Sequence, residues 1–205
     1  MHVVSVEGRG IEKMSDLKGK RVSTGSGGSA TEVFAFRVIE AAGLDKDKDM
    51  KRERLGVAES VNALKDRKID AFFWVGGLPT AAVTDLANSP GVKIKMIDIA
   101  HLVPAMSKKH GNIYIKDVIP QRMYKGMEAD NQAATVTNLL VAHESMDAKT
   151  VYAIVKTLWE NRVDLVRVHA EAVNIKPENQ RGDASSIPWH PAAVRFFAEQ
   201  GIKIK

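Results

Sequence analysis

The sequence contains no cysteine, which excludes disulfide bonds, thiolate catalysis and cysteine-based metal sites. No apolar run approaches the roughly 18 residues of a membrane-spanning helix. The opening stretch MHVVSVEGRG lacks the apolar core of a signal peptide, so we expect no signal peptide in this chain. With 205 residues, the chain is long enough for one large domain or two small ones.

Motifs for catalysis and metal binding are also missing. No G-x-S-x-G pattern marks a nucleophile, and no set of serine, histidine and aspartate suggests a triad. The six histidines lack metal-ligand spacing, and we interpret each as surface or structural. They are His2, His101, His110, His143, His169 and His190. The sequence therefore predicts a protein that is not an enzyme, with no catalytic residue, no metal and no cofactor.

The charge of the chain is mildly positive, with a net charge of +5 and a pI near 9.3. Lysine and arginine are spread along the sequence, and no basic run is interleaved with aromatic residues. We therefore expect a solvated surface and no nucleic-acid partner. A weak positive field would also suit an anionic solute.

Strand and helix patterns alternate in the first half of the chain, which predicts a doubly wound α/β layout. Ser29 fits the N-cap of a helix, and Glu32 completes a capping box by reaching back. The apolar stretch Ala71–Val75 is typical of a strand buried on both faces of a parallel sheet. Pro79 suits the first position of the next helix, and the charged run Asp45–Arg54 predicts a solvated connection.

The second half changes character and begins with short strand-like pieces and a charged turn at Asn112–Asp130. Five segments are expected: a strand at Ala133–Ala142, a helix capped by Asp147, a helix at Asp164–Ala172, a loop at Lys176–Ser186 and a helix at Pro191–Gln200. We find no internal repeat and no low-complexity tract.

A glycine-rich loop before the first long helix is the first candidate binding site. Its backbone N–H groups and the positive end of the helix dipole would fit an anionic group such as a carboxylate. The alternative is that the glycines only form a tight turn. The candidate residues are Gly25, Ser26, Gly27, Gly28, Ser29, Ala30 and Thr31.

A second candidate site follows the apolar strand, at Trp74, Val75, Gly76 and Gly77. A tryptophan at a strand end can pack on a ligand, and the two glycines would expose backbone. The alternative is that Trp74 only fills the core.

The glycine loop also matches a dinucleotide fingerprint. Gly25, Gly27 and Ala30 fit G-x-G-x-x-A, and Glu53 lies at a suitable distance for a ribose contact. The following strand, MKRERL, is too charged for a buried strand, which disfavours this hypothesis. A P-loop is excluded because no Lys-Ser or Lys-Thr follows the glycines.

Four ordered motifs resemble the TAXI-type solute receptors of tripartite (TRAP) transporters, which have the type II periplasmic binding fold. In the last motif, Ala192 replaces the usual glycine and Trp189 the usual leucine. The motifs are SDLKGKRVSTGSGGSATE at Ser15–Glu32, AAGL at Ala41–Leu44, ESVNALKDRKIDAFFWVGGLP at Glu59–Pro79 and IPWHPAAVRFFAEQG at Ile187–Gly201.

The resemblance implies two lobes of doubly wound sheet joined by hinge strands. It implies a periplasmic receptor that captures a small carboxylate or amino acid, such as glutamate or glutamine, and delivers it to a membrane permease. Residues 1–111 would be the second lobe with a leading hinge strand, and residues 112–205 the return hinge and the C-terminal part of the first lobe. Ser26, Ser29 and Thr31 would donate hydroxyls, and Trp74 would pack on the solute.

The resemblance also implies a first lobe that is incomplete in this chain, because about the first third of a receptor has no counterpart here. We therefore expect self-association or an exposed apolar patch. Two other classes stay open, a dinucleotide-binding enzyme domain and the ligand-sensing domain of a regulator.

Overall fold

A computed structural model describes residues 1–182 and 185–204. The chain divides into two compact units, Met1–Val136 and Thr137–Lys205, here called the first unit and the second unit. The predicted α/β class is confirmed, because helices cover a central sheet in the first unit. The assignment of residues 1–111 and 112–205 to two lobes stays a prediction.

The first unit contains seven strands and four α-helices. The strands are β1 His2–Val6, β2 Arg21–Ser23, β3 Lys51–Glu53, β4 Ala71–Trp74, β5 Ile94–Met96, β6 Tyr114–Ile119 and β7 Asn131–Val136. The helices are α1 Ala30–Ala41, α2 Val57–Lys65, α3 Ala81–Asn88 and α4 Val103–His110, with 3-10 turns at Met14–Leu17 and Ala100–Leu102.

The main sheet is mixed, with the order β3-β2-β4-β1-β5. Strand β2 is parallel to β3 and β4, whereas β1 is antiparallel to β4 and β5. The prediction that β4 lies in a parallel sheet is therefore correct for its neighbour β2 and wrong for its neighbour β1. His2 pairs with Trp74, so the amino end of β1 lies beside the carboxyl end of β4.

Two hydrophobic cores cover the two faces of this sheet, because successive strand residues point to opposite faces. Val3 and Phe73 pack in the core that includes α1. Val4 and Phe72 pack in the core that includes α2 and α3. All four side chains are almost completely buried, which confirms that β4 is covered on both faces.

The β6–β7 hairpin closes the first unit and corrects one predicted strand. Its antiparallel register pairs Tyr114 with Val136. Because Tyr114 is the first residue of β6, no partner strand continues beyond Val136. The strand predicted at Ala133–Ala142 is therefore wrong after that residue, and the side chains from Thr137 to Ala142 are exposed.

The predicted start of α3 also differs from the structure. The peptide bond before Pro79 is cis, Thr80 is the N-cap, and α3 begins at Ala81. Pro79 is therefore not the first helical residue. Asp147 caps its helix as predicted, since its side chain accepts a hydrogen bond from the amide of Thr150 at 3.0 Å.

The second unit is helical in the residues that the structure describes, with α5 Ala148–Glu160, α6 Arg162–Val168, α7 Pro191–Glu199 and 3-10 turns at Ala170–Asn174 and Pro177–Asn179. The helix predicted at Asp164–Ala172 is wrong after Val168, because His169 has extended backbone angles. Positions 183 and 184 of the loop predicted at Lys176–Ser186 lie outside the described residues.

A small cluster of Trp159, Phe196 and Phe197 forms the core of the second unit. Helix α7 confirms the helix predicted at Pro191–Gln200 to within one residue. Across the part of the chain that is described, no helix is both long and apolar enough to cross a membrane.

Candidate functional site

The two predicted binding segments lie side by side in the first unit. Gly25–Thr31 follows the carboxyl end of β2, and Trp74–Gly77 begins at the carboxyl end of β4. Because β2 and β4 are parallel neighbours, these ends meet at one edge of the sheet. The amide of Val75 donates a hydrogen bond to Oγ1 of Thr31 at 3.3 Å and joins the segments directly.

This edge is also the point at which the chain changes direction across the sheet. From β2, the chain passes through α1 to β3 on one side, and β3 then returns through α2 to β4 on the other side of β2. The helices α1 and α2 cover opposite faces of the sheet. In open α/β sheets, ligands bind in the crevice at such a switch point, outside the carboxyl ends of the strands.

The backbone of the glycine loop requires glycine at two positions. Gly25 has φ +95°, and a methyl group there would lie 2.6 Å from Cγ2 of Thr31. Gly28 has φ +75°. These left-handed conformations strain other residues, so glycine lets the loop turn and lets Thr31 approach.

The N-terminus of α1 presents two amides that have no hydrogen-bond acceptor within the described residues, those of Ala30 and Thr31. The amides of the two flanking residues already donate hydrogen bonds. The amide of Ser29 donates to the carbonyl of Ser26 at 3.1 Å, and the amide of Glu32 donates to Oγ of Ser29 at 3.1 Å. Free amides and the helix dipole together favour an anion at this end.

The predicted hydroxyl donors differ in their environment. Ser26 is exposed, Ser29 is half-buried and Thr31 is buried. The oxygens of Ser29 and Thr31 accept the bonds described above, and each hydroxyl hydrogen is still able to donate because a hydroxyl both donates and accepts. The cap predicted at Ser29 is confirmed, but the capping box is not formed, since Glu32 accepts from the amide of Gly28 at 2.8 Å instead.

Three charged residues lie at this loop that the sequence analysis did not assign to the site. Glu32 is buried and forms ion pairs with Arg52 at 3.0 Å and Arg54 at 3.3 Å. Most of the connection at Asp45–Arg54 is exposed, as predicted, but Arg52 is mostly buried and departs from that prediction. A signal was present, because Arg52 and Arg54 lie two residues apart at the end of β3, a spacing that places both on one face of an extended chain. Both pair with Glu32 of α1.

Arg54 differs from Arg52 in its exposure to solvent. Its side chain is 60% exposed, against 16% for Arg52. A methyl group at Gly27 would lie 3.6 Å from Cδ of Arg54, so the arginine stem runs beside the glycine loop. The loop therefore carries a cation that solvent, or a solute, is able to reach.

Trp74 is held at the other side of the site by Thr80. Its indole Nε1 donates to Oγ1 of Thr80 at 3.0 Å, and that hydroxyl donates to the carbonyl of Gly77 at 2.8 Å. A methyl group at Gly76 would lie 2.5 Å from Nε1, so the indole rests against the glycine backbone. Trp74 is half-buried and packs partly on the core that contains α2 and α3.

The dinucleotide hypothesis is disfavoured by the strand order. In a dinucleotide-binding Rossmann half, the third strand lies beside the second. In the segment β2–α1–β3–α2–β4, which carries the glycine loop, the third strand, β4, lies beside the first, β2. Glu53 does end β3 with an exposed side chain.

His2 is buried, and its Nε2 lies 2.9 Å from the hydroxyl of Tyr124. Burial, and then the charge of the amino terminus, lower the pKa of His2 to about 4, so the ring is neutral.

Within the described ranges, no group of three or more histidine, aspartate or glutamate side chains is placed to hold a metal.

A mixed α/β sheet with glycine loops at its switch point is typical of domains that bind small ligands. The chain belongs to the NMT1-like family, which it matches over residues 1–201.

Three solved structures are similar to the chain. The periplasmic aliphatic sulphonate binding protein SsuA of Escherichia coli is 18% identical with a TM-score of 0.41, over 54% of this chain and 38% of that protein. The alkanesulfonate-binding protein SsuA of Xanthomonas axonopodis pv. citri, bound to MOPS, is 16% identical with a TM-score of 0.47, over 96% and 54%. An ancestral arginine-binding protein bound to glutamine is 21% identical with a TM-score of 0.35, over 54% of each.

The chain thus spans less than two thirds of the length of each of these structures. Their TM-scores are below 0.5, so the fold assignment rests on the family and on the sheet order.

Proposed function

We propose that this chain is the solute-binding part of a receptor, which captures a small carboxylate or amino acid without chemical change. The observation that carries the proposal is the junction of the two glycine-containing segments at the switch point of the sheet. The hydrogen bond from Val75 to Thr31 joins these segments. Backbone at such a junction suits binding and offers no nucleophile.

The anionic group of the solute binds at the N-terminus of α1. The free amides of Ala30 and Thr31 donate to it, and the helix dipole adds a favourable field. The buried carboxylate of Glu32 does not oppose an anion here, because the guanidinium of Arg52 neutralises it. Arg54, which pairs with Glu32 at 3.3 Å and has a 60% exposed side chain, supplies a cation within reach of the solute.

The aliphatic part of the solute packs against Trp74. A half-buried indole offers a flat apolar surface, and its N–H is already satisfied by Thr80. The backbone of Gly76, against which the indole rests, is exposed and borders this apolar surface. The site thus separates an anionic end from an apolar middle, as an amino acid or a short carboxylate requires.

At a finer level, we infer that the chain serves a TAXI-type TRAP transport system. The solute is glutamate, glutamine or a related carboxylate, and the bound receptor docks on a membrane permease in the periplasm. The four motifs described above support this proposal.

Native mass spectrometry followed by titration calorimetry tests the proposal. L-glutamate, L-glutamine and ethanesulfonate serve as probes against the full chain. We expect one of the carboxylate probes to bind and an adduct of matching mass to disappear on denaturation. A nicotinamide- or flavin-sized adduct would instead support the enzyme alternative, and preference for ethanesulfonate would change the solute class.

Arg54→Gln sharpens this test, with Lys68→Gln as the matched control. Lys68 is exposed and lies before the amino end of β4, at the opposite edge of the sheet. Loss of a charge-assisted bond should weaken L-glutamate binding about tenfold or more in Arg54→Gln. Equal affinities in the two variants would remove Arg54 from the site.

A further inference from the structure

Thr80 connects the two parts of the Trp74–Gly77 segment. Its Oγ1 accepts from the indole of Trp74 at 3.0 Å and donates to the carbonyl of Gly77 at 2.8 Å. One hydroxyl therefore fixes both the ring edge and the following backbone. Thr80 itself lies at the N-cap of α3, where its side chain makes no capping bond.

Tyr124 holds Thr80 from another part of the first unit. It lies between β6 and β7 and is 3% exposed. The amide of Thr80 donates to the hydroxyl of Tyr124 at 2.9 Å, across 44 residues of sequence. The ring packs in the core that contains α2 and α3, which fixes its position.

His2 supports the same hydroxyl from β1. Its Nε2 lies 2.9 Å from the Tyr124 oxygen, and the two rings are in contact at a centroid distance of 5.7 Å. Since His2 pairs with Trp74 in the sheet, the histidine lies at the base of the segment that Thr80 closes. The chain of contacts thus runs from β1 through Tyr124 and Thr80 to Trp74.

We propose that Tyr124 and Thr80 are positioning residues of the solute site. The hydroxyl of Tyr124 fixes Thr80, and Thr80 fixes the orientation of the Trp74 indole and of the Gly77 carbonyl. Neither residue needs to touch the solute. The consequence for affinity rests on the proposed function, whereas the consequence for the order of Trp74 does not.

The indole N–H signals in a two-dimensional NMR spectrum of the full chain test this positioning role. The chain has three tryptophans, and Trp74→Phe assigns the relevant signal. In Tyr124→Phe, we expect the Trp74 indole signal to shift and to exchange faster with solvent. The other two indole signals should stay unchanged.

Tyr114→Phe is the matched control, because Tyr114 is also buried in the first unit and its hydroxyl accepts from Arg37. It should leave the Trp74 signal in place. Thr80→Val removes the hydroxyl and should reproduce the effect of Tyr124→Phe. Thr80→Ser keeps the hydroxyl and should give the same Trp74 signal as the wild type. The Thr80 pair keeps the proposal testable if Tyr124→Phe fails to fold.

Calorimetry with L-glutamate adds the binding readout. Affinity should fall about tenfold in Tyr124→Phe and Thr80→Val and stay within a factor of about two in Thr80→Ser and Tyr114→Phe. An unmoved Trp74 signal in both Tyr124→Phe and Thr80→Val would overturn the positioning role. A Trp74 signal that shifts in both variants, together with a wild-type chain that binds no probe, would support the positioning role and count against the proposed function alone.

Discussion

The two units of this chain treat their apolar residues differently. Of forty buried hydrophobic residues among those described, only six lie in the second unit. Of sixteen exposed large hydrophobic residues in the same description, twelve lie in the second unit. The first unit therefore buries most of its apolar side chains, whereas the second unit leaves many of its apolar side chains in contact with solvent.

Helices α1 and α5 show what this difference means. Phe34 and Val38 of α1 are buried against the main sheet. In α5, Val155 packs with the small cluster around Phe196, but Ile154 is 39% exposed. An amphipathic pattern predicts a helix in both cases, and only the presence of a covering layer decides whether the stripe is buried.

The largest effect should come from the core of the first unit. Phe73→Ala removes a side chain that is 1% exposed and should lower the free energy of unfolding by about 3–5 kcal/mol. Hydrogen exchange read separately in each unit should show the loss in the first unit. Val33→Ala, at a 46% exposed position on α1, should change stability by less than about 0.5 kcal/mol. Equal loss of protection in both units would show that the two units do not unfold separately and would contradict the difference between them.

The next effect concerns the glycine loop. Gly25→Ala combines a φ of +95° with a 2.6 Å approach to Thr31, and should destabilise the first unit by about 2–4 kcal/mol. Gly19→Ala is the control, since Gly19 has φ +76° and open space around it, and should cost only about 1 kcal/mol. Urea unfolding measures both, and equal costs would show that Thr31 is free to move away.

A pH effect should be smaller and confined to the first unit. The pKa of His2 is about 4 in the folded chain and 6.5 in the unfolded chain, so the unfolded chain binds the proton first as the pH falls. The contribution of His2 to stability is therefore full above pH 6.5 and is lost toward pH 4. Between these values the loss should reach roughly 2–3 kcal/mol.

Urea unfolding at several pH values checks this expectation. His2→Gln should flatten the dependence, because glutamine does not titrate. His101→Gln, at an exposed position in the same unit, should leave the slope as in the wild type. If stability still falls with pH to the same extent in His2→Gln, another group is responsible for the pH dependence.

The smallest effect on stability is expected at the surface of the second unit. Val163 is 68% exposed and Val168 is 84% exposed, so their replacement by serine should change stability by less than about 0.5 kcal/mol. The same pair should reduce the binding of a hydrophobic dye and any self-association seen by light scattering. A wild-type chain that is monomeric and binds no dye would contradict the expected apolar patch.

Local signals made α1 and its cap predictable, because the hydroxyl of Ser29 accepts from the backbone amide three residues later. The proximity of Gly25 and Val75 was not a local property, since it depends on β2 pairing with β4. The charge of Arg52 predicted an exposed side chain. Its burial depends on the carboxylate of Glu32, which is distant in sequence.

Tyr124 gave no sequence signal, because its partner His2 is 122 residues away. Tertiary contacts of this kind decide which side chains order a site, and a motif next to the site does not contain them. The two glycine segments were found by local pattern, and the residues that hold them in place were not.

The most direct test of solute binding at the switch point is amide NMR of the isotope-labelled chain during titration with L-glutamate and L-glutamine. We predict that shifts concentrate at Gly25–Thr31 and Trp74–Gly77, and that Arg54→Gln weakens them. Shifts that fall elsewhere, or no shift at millimolar probe, would contradict the assignment of this site.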